Sequence, residues 1–298
     1  MNCFGHAARQ MGRAGPARIN FSKPNQGMTN EIFDSTTRSG KAVRMTEALP
    51  KTKGDATRDM KVAVISFSGN VGKTLVARQL LAPRMPGARE FVVETINASA
   101  SDHNLEAEQL SGKEIGDLLR ELLLVDRAIV DIGASNVESA LRQLVQRRGS
   151  HAEFDYFVVP VVSDVKQETD AVNTIKALSA LGVPARKILV VFNNVELDEV
   201  NDIESVFPIV TGYHRQSKSF TLRTNAVIFH SPLFEQLQGL KMSVAQLATD
   251  ETDYRAALKN AKDEASKEHA ADSIAAQWLA ISTHENLDEV FKALFSSR

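Results

Sequence analysis

The run Met60-Lys-Val-Ala-Val-Ile-Ser-Phe-Ser-Gly-Asn-Val-Gly-Lys-Thr74 decides how this chain is read. Its first half, Lys61 to Phe67, is rich in β-branched and apolar residues, the pattern of a strand buried in a parallel sheet. Its second half turns abruptly to Ser68, Gly69 and Asn70 and closes through Val71 on Gly72-Lys73-Thr74. Such a loop between a strand and a helix aims backbone N–H groups at an anion, and the helix N-terminus adds a favourable dipole. Gly69 and Gly72 allow the backbone to approach a phosphate closely. Lys73 is placed to reach terminal phosphates, and the Thr74 hydroxyl to meet Mg²⁺. The full phosphate-loop pattern asks for Gly at the position held by Phe67, so the match departs there.

Outward from this run, strands and helices alternate. The helix opening near Gly72 ends before Pro83. Strands are expected at Phe91–Glu94, Ala128–Asp131, Tyr156–Pro160, Ile188–Phe192 and Ala226–Phe229. Helical spacing appears at Glu114–Leu124, Val137–Gln146 and Val172–Leu181, and from about Thr252 to the end. The alternation predicts an α/β fold, a parallel sheet with helices on both faces, followed by a helical C-terminal region. Asp131 ends the third expected strand, where a carboxylate can hold Mg²⁺ through water and the Gly133 backbone can face a γ-phosphate. Capping of the helix that follows is the competing role for Asp131. Glu94 ends the second strand at the same carboxyl edge, where ligands bind in such folds. A solvated loop acid is its competing reading.

The 298-residue chain is 43% hydrophobic and 24% charged, which excludes wholesale disorder. Its net charge of −2 conceals an asymmetry: residues 1–59 hold ten basic and five acidic residues, which leaves −7 for residues 60–298. The first 59 residues, rich in Gly, Pro, Ser and Thr, are expected to be a disordered basic extension, with Met60 the functional start of the folded domain. A basic arm touching DNA is the alternative. A single Cys3 excludes an internal disulfide or Cys-based zinc site and suits a reducing cytoplasm. No apolar run approaches the roughly 20 residues that span a bilayer, and no secretory signal is visible.

Ser68-Gly69-Asn70-Val71-Gly72-Lys73-Thr74 resembles the phosphate loop of the ParA/MinD branch of P-loop ATPases, which reads Lys-Gly-Gly-x-Gly-Lys-Thr. Met60–Thr74, Leu81–Gly87, Val130–Val137 and Phe192–Glu196 are similar, more narrowly, to the plasmid stability proteins of the StbB type. The resemblance covers about residues 60 to 240. It implies ATP and Mg²⁺ as cofactors, with Lys73, Thr74 and Asp131 at the phosphates and metal and Glu94 as a catalytic or structural acid. It also implies an adenine contact from Asn193, with Asn194 as its neighbouring candidate. A nucleotide-dependent homodimer and a DNA-binding adaptor protein are the implied partners, in plasmid stability, partition or conjugative transfer. Two departures matter. The family's signature Lys is Ser68 here, and its Asp-x-Asp motif is Glu94-Thr95-Ile96, without the second acid. ATP binding with slow or partner-stimulated hydrolysis is the expectation. A nucleotide-binding scaffold without turnover and a metabolic ATP-dependent enzyme are the rivals.

Direct DNA contact has weak support. Arg255, Lys259, Lys262 and Lys267 are interleaved with Asp253, Asp263, Glu264 and Glu268, as on a solvated helix face. Arg147-Arg148 and His214-Arg215 with Lys218 are minor candidates, and an acidic body disfavours autonomous binding to phosphates. Leu287, Val290, Phe291, Leu294 and Phe295 form a helical apolar stripe beside a mostly acidic polar face. A membrane helix would carry Lys and Arg there, so packing on the domain or on a dimer partner is expected instead.

Overall fold

The β-branched runs form seven strands: β1 (Lys61–Ile65), β2 (Arg89–Val93), β3 (Glu108–Leu110), β4 (Ala128–Ile132), β5 (Tyr156–Val161), β6 (Ile188–Val195) and β7 (Val227–Phe229). They pair in parallel in one sheet, ordered β3-β2-β4-β1-β5-β6-β7. The structure, a computed structural model, describes residues 59–94, 108–110, 115–237 and 242–296. The expected extension up to residue 58 and the missing acid at Ile96 lie outside the described residues.

The helices are α1 (Lys73–Leu75), α2 (Ile115–Leu122), α3 (Val137–Gln146), α4 (Val165–Ala180), α5 (Ile203–Val206), α6 (Pro208–Ser217), α7 (Leu233–Gln236), α8 (Val244–Ala248), α9 (Tyr254–Asn260) and α10 (Glu264–Phe295). After α1 the chain widens into π-helical turns over Val76–Leu81 and tightens to a 3₁₀ turn at Ala82–Arg84. Together these occupy the helix expected after the loop. The fold is the α/β class read from the sequence, a parallel sheet with flanking helices and a helical C-terminus.

Two details differ from the expectation. The strand carrying Asp131 is the fourth, because β3 precedes it; Glu108-Gln109-Leu110 has neither length nor apolar period, so pairing with β2 makes it a strand. The helix expected from Val172 starts at Val165, because Asp164 accepts from Lys166 N at 2.9 Å and Gln167 N at 3.2 Å and so caps it earlier.

Consecutive residues of β1, β4, β5 and β6 are buried, so both faces of the central sheet are covered. On one face Ala63, Ile65, Val130, Ile132, Val159 and Val190 share a core with the stripes of α2, α3 and α4. The strand order changes direction at β1, which lies between β4 and β5. The connection leaving β1 runs to β2 on the β4 side, whereas that leaving its other neighbour β5 runs away to β6, so a crevice opens beyond the carboxyl ends of these two strands.

The chain divides into two compact units, one containing Thr252–Ala275 and the other resuming at Ala276. In the first, Asp253 caps α9 through Ala256 N at 2.8 Å, and Asp263 accepts from Ser266 N at 2.8 Å. Lys267 pairs with Glu264 at 3.6 Å on an exposed face.

In the second unit, Leu287, Val290 and Leu294 of α10 are buried, and Phe295 meets Tyr156 edge-on at 5.2 Å. The apolar C-terminal stripe therefore packs on the domain. Asn286 completes the join: its Nδ2 donates to Val227 O at 3.0 Å, and its Oδ1 accepts from Phe229 N at 3.1 Å. It thus takes up polar groups of the edge strand β7. Among the described residues no helix is long and apolar enough to cross a membrane.

A buried acid joins α4 to α6. Glu168 Oε2 accepts from Ile209 N at 2.9 Å and Val210 N at 3.1 Å, the first free donors after Pro208. Glu168→Ala would leave both donors unpaired and is expected to cost about 2–4 kcal/mol. The check is a lowered urea midpoint at unchanged m; Glu168→Gln, which keeps an acceptor oxygen, should lose less.

Candidate nucleotide site

The loop after β1 is held from below before it meets anything above. Phe67 N donates to Thr174 Oγ1 of α4 at 3.1 Å, and Ser68 N donates to Ser66 Oγ at 3.2 Å. Phe67 packs against the main core, which gives the bulky residue a role at the position where the pattern asks for Gly. Ser68 and Val71 are buried, whereas Gly69 and Asn70 are exposed. Two residues lie in the left-handed region, Asn70 at φ 57° and Gly72 at φ 86°. Asn tolerates that conformation and Gly adopts it freely.

Gly72 is also required by space. A Cβ there would come within 2.2 Å of Asn193 Nδ2. That amide donates to Val71 O at 3.1 Å, and the Asn193 side chain is buried. Asn193 thus faces the loop, 122 residues away in sequence. Its neighbour Asn194 is exposed, at φ 61°, with Oδ1 2.9 Å from His230 Nδ1 at the same sheet edge.

Lys73 arches back over the loop, its Nζ donating to Ser68 O at 2.6 Å. Burial pushes its pKa below the ordinary lysine value, while the nearby charges of Asp131 and Glu94 pull it up. Thr74 Oγ1 donates to Asp131 Oδ2 at 2.7 Å and so ties the loop to β4. Burial raises the Asp131 pKa, opposed by the Thr74 hydrogen bond and the Lys73 charge. Asp131 Oδ1 is buried without a hydrogen-bond partner. An unmatched carboxylate oxygen beside a threonine hydroxyl is a donor set suited to a hard cation such as Mg²⁺. Among the described residues no group of three His, Cys, Asp or Glu could hold a metal by itself.

Glu94 is exposed beyond β2, and its Cγ would lie 3.4 Å from a Cβ placed on Gly133. Gly133 N donates to Val93 O at 2.9 Å, so this N–H is engaged within the sheet edge. The same carbonyl accepts from Asn136 Nδ2 at 3.4 Å.

The structure gathers Ser68 through Thr74, Asp131 and Glu94 at one carboxyl edge. It turns Asn193 onto the loop and engages the Gly133 N–H. Sequence reasoning missed Thr174, His230 and Arg78, whose charge lowers the Asp131 pKa. Arg78 had a signal, since it follows Thr74 by four residues on the outgoing helix. Thr174 and His230 had none, because only the fold brings Thr174 to the loop and His230 to Asn194.

The minor basic candidates are placed as follows. Arg147, just past α3, bonds Gln143 of that helix, Arg215 pairs with Glu204 at 2.8 Å, and His214 sits edge-on to Phe220 at 4.9 Å.

No protein-family model matches the sequence, and no curated protein matches it significantly. The chain is similar in architecture to Cyanothece McdA in complex with ATP, at 12% identity over 74% of this chain and 96% of that one, TM-score 0.42. Aquifex aeolicus MinD is similar at 12% identity over 74% of this chain and 96% of that one, TM-score 0.44. The ParA of pnob8 is similar at 14% identity over 80% of this chain and 95% of that one, TM-score 0.36.

Gly72→Ala combines the Asn193 clash with a left-handed residue bearing a Cβ. It is expected to destabilise the protein by about 1–3 kcal/mol, measured by chemical unfolding. The neighbouring Gly69→Ala, whose Cβ would meet nothing within 4 Å, should be much milder.

Proposed function

We propose that this chain binds ATP with Mg²⁺ and acts as a nucleotide-dependent switch of the ParA/MinD type. The observation that carries the reading is the Thr74–Asp131 hydrogen bond at 2.7 Å, beside the unmatched Asp131 Oδ1, at the mouth of a glycine-bearing loop. In this reading the N–H groups of Gly69 through Thr74 surround the phosphates, with Ser68 at the entrance of the loop. Lys73, whose Nζ donates to Ser68 O, would exchange that carbonyl for a charged phosphate oxygen. Thr74 and Asp131 are the residues that would hold the metal, which would supply charge screening to the phosphates. Glu94, exposed beside Gly133, is the acid available near an attacking water. The Gly133 N–H would have to leave Val93 O to face a γ-phosphate. Asn194 is the exposed amide left for the base.

Hydrolysis in this reading is slow without a partner. Ser68 supplies no charge where the family has Lys, and Glu94 has no second acid two residues on. A slow ATPase suits a switch that changes its surface with the nucleotide. The narrower proposal is a StbB-type role in plasmid stability, partition or conjugative transfer, with a DNA-binding adaptor and a nucleotide-dependent homodimer as partners. Its support is the sequence resemblance, together with an acidic body whose Arg147 and Arg215 are engaged locally. A cytoplasmic location fits the same reading.

Lys73→Ala should weaken MgATP binding at least about tenfold, as expected for loss of a charge-assisted contact of roughly 1.5–3 kcal/mol. Calorimetric titration reads this directly, and unchanged affinity would remove the site assignment. Turnover measured with and without DNA and the adaptor then separates a stimulated ATPase from a silent scaffold.

A further inference from the structure

β6 carries two adjacent asparagines at the sheet edge, and the fold treats them differently. The strand is irregular at this point: its pairing with β7 shifts register between Asn193 and Val195, and Asn194 is left-handed between them. The irregularity turns Asn194 outward and leaves Asn193 buried against the loop. There the Asn193 amide meets two features at once. It donates to Val71 O at 3.1 Å, and its Nδ2 occupies the space where any Cβ at position 72 would stand.

Val71 and Gly72 immediately precede Lys73, so the orientation of their peptides decides whether the loop N–H groups point inward together. A peptide preceding a left-handed residue can flip with little steric resistance when that residue is Gly. The Asn193 bond opposes the flip by holding the Val71 carbonyl outward, toward β6.

We propose that Asn193 is a positioning residue of the phosphate loop: it fixes the Val71–Gly72 peptide in the anion-binding orientation and sets phosphate affinity independently of the base. This rests on the nucleotide reading of the same site. Asn193 then acts through the loop backbone, from a strand distant in sequence. Two local facts agree with it. The amide is buried, and the position facing it is a glycine, at φ 86°.

The test uses a ligand without a base. Magnesium tripolyphosphate and MgATP are titrated into the full-length chain and its variants by calorimetry. Asn193→Ala should weaken both ligands by the same factor, roughly threefold to tenfold for one lost hydrogen bond, with ATP/GTP discrimination unchanged. Unchanged tripolyphosphate affinity in Asn193→Ala overturns the proposal, whatever happens to ATP. Asn193→Asp keeps the size but turns carboxylate oxygens toward the Val71 carbonyl, so it should bind more weakly than Asn193→Ala at neutral pH. Acidification should then restore its affinity relative to wild type, because a protonated carboxyl can donate to Val71 O. A flat pH response of Asn193→Asp overturns the proposal, and this series decides the matter if Asn193→Ala fails to fold. If the wild-type chain binds neither ligand, the nucleotide reading itself falls, a result distinct from loss in the variants alone.

Discussion

A loop that binds phosphate must hold its N–H groups inward before any anion is there to order them. Backbone dipoles pointing the same way repel one another, and two residues of this loop, Asn70 and Gly72, sit in the left-handed region. The arrangement persists because the loop is tied to three separate elements. Thr174 of α4 takes the Phe67 N–H, Asn193 of β6 takes the Val71 carbonyl through its amide, and Asp131 of β4 takes the Thr74 hydroxyl. The β1–β4 and β1–β5 pairings place β4 and β5 on either side of the loop's own strand. The sheet order is therefore a condition of the site as well as a frame around it.

Charge follows from the same burial. Lys73 and Asp131 are brought out of water at the end of the sheet, and each is shifted toward its neutral form by desolvation while the other charge opposes the shift. The buried Asp131 Oδ1 has no partner. A buried carboxylate oxygen left without a partner is a group that a bound cation would satisfy, which is the premise of the proposed function.

The helix that begins at Lys73 is regular for one turn only. Its π-helical stretch ends where Arg84 donates to Gln79 O at 3.0 Å and to Leu80 O at 3.1 Å. The same guanidinium donates to Asp288 at 2.7 Å and to His284 O at 3.0 Å on α10. Carbonyls at the end of the π-helical stretch are thus taken up by an arginine whose side chain is largely buried. Through it the far end of the loop's helix is joined to the C-terminal helix, and Asn286 joins that helix to β7. Burial of Leu287, Val290 and Leu294 completes the contact.

The sequence by itself determined the strand–loop–helix unit, the parallel α/β class and most of the residues gathered at the candidate site. Those features are local: β-branched burial marks a strand, Gly-Lys-Thr after it marks an anion loop, and the helical spacing of Glu114–Leu124 and Val137–Gln146 marks helices. Only the tertiary structure decided that Glu108–Leu110 is a strand, that Gly133 uses its N–H on Val93, and that Asn193 faces the loop while Asn194 faces outward. In each case the partner is far along the chain or depends on a one-residue change of strand register. A one-residue change reverses which face of a strand a side chain occupies. Residue type and spacing set what a side chain can do; the register of neighbouring strands sets which group it meets.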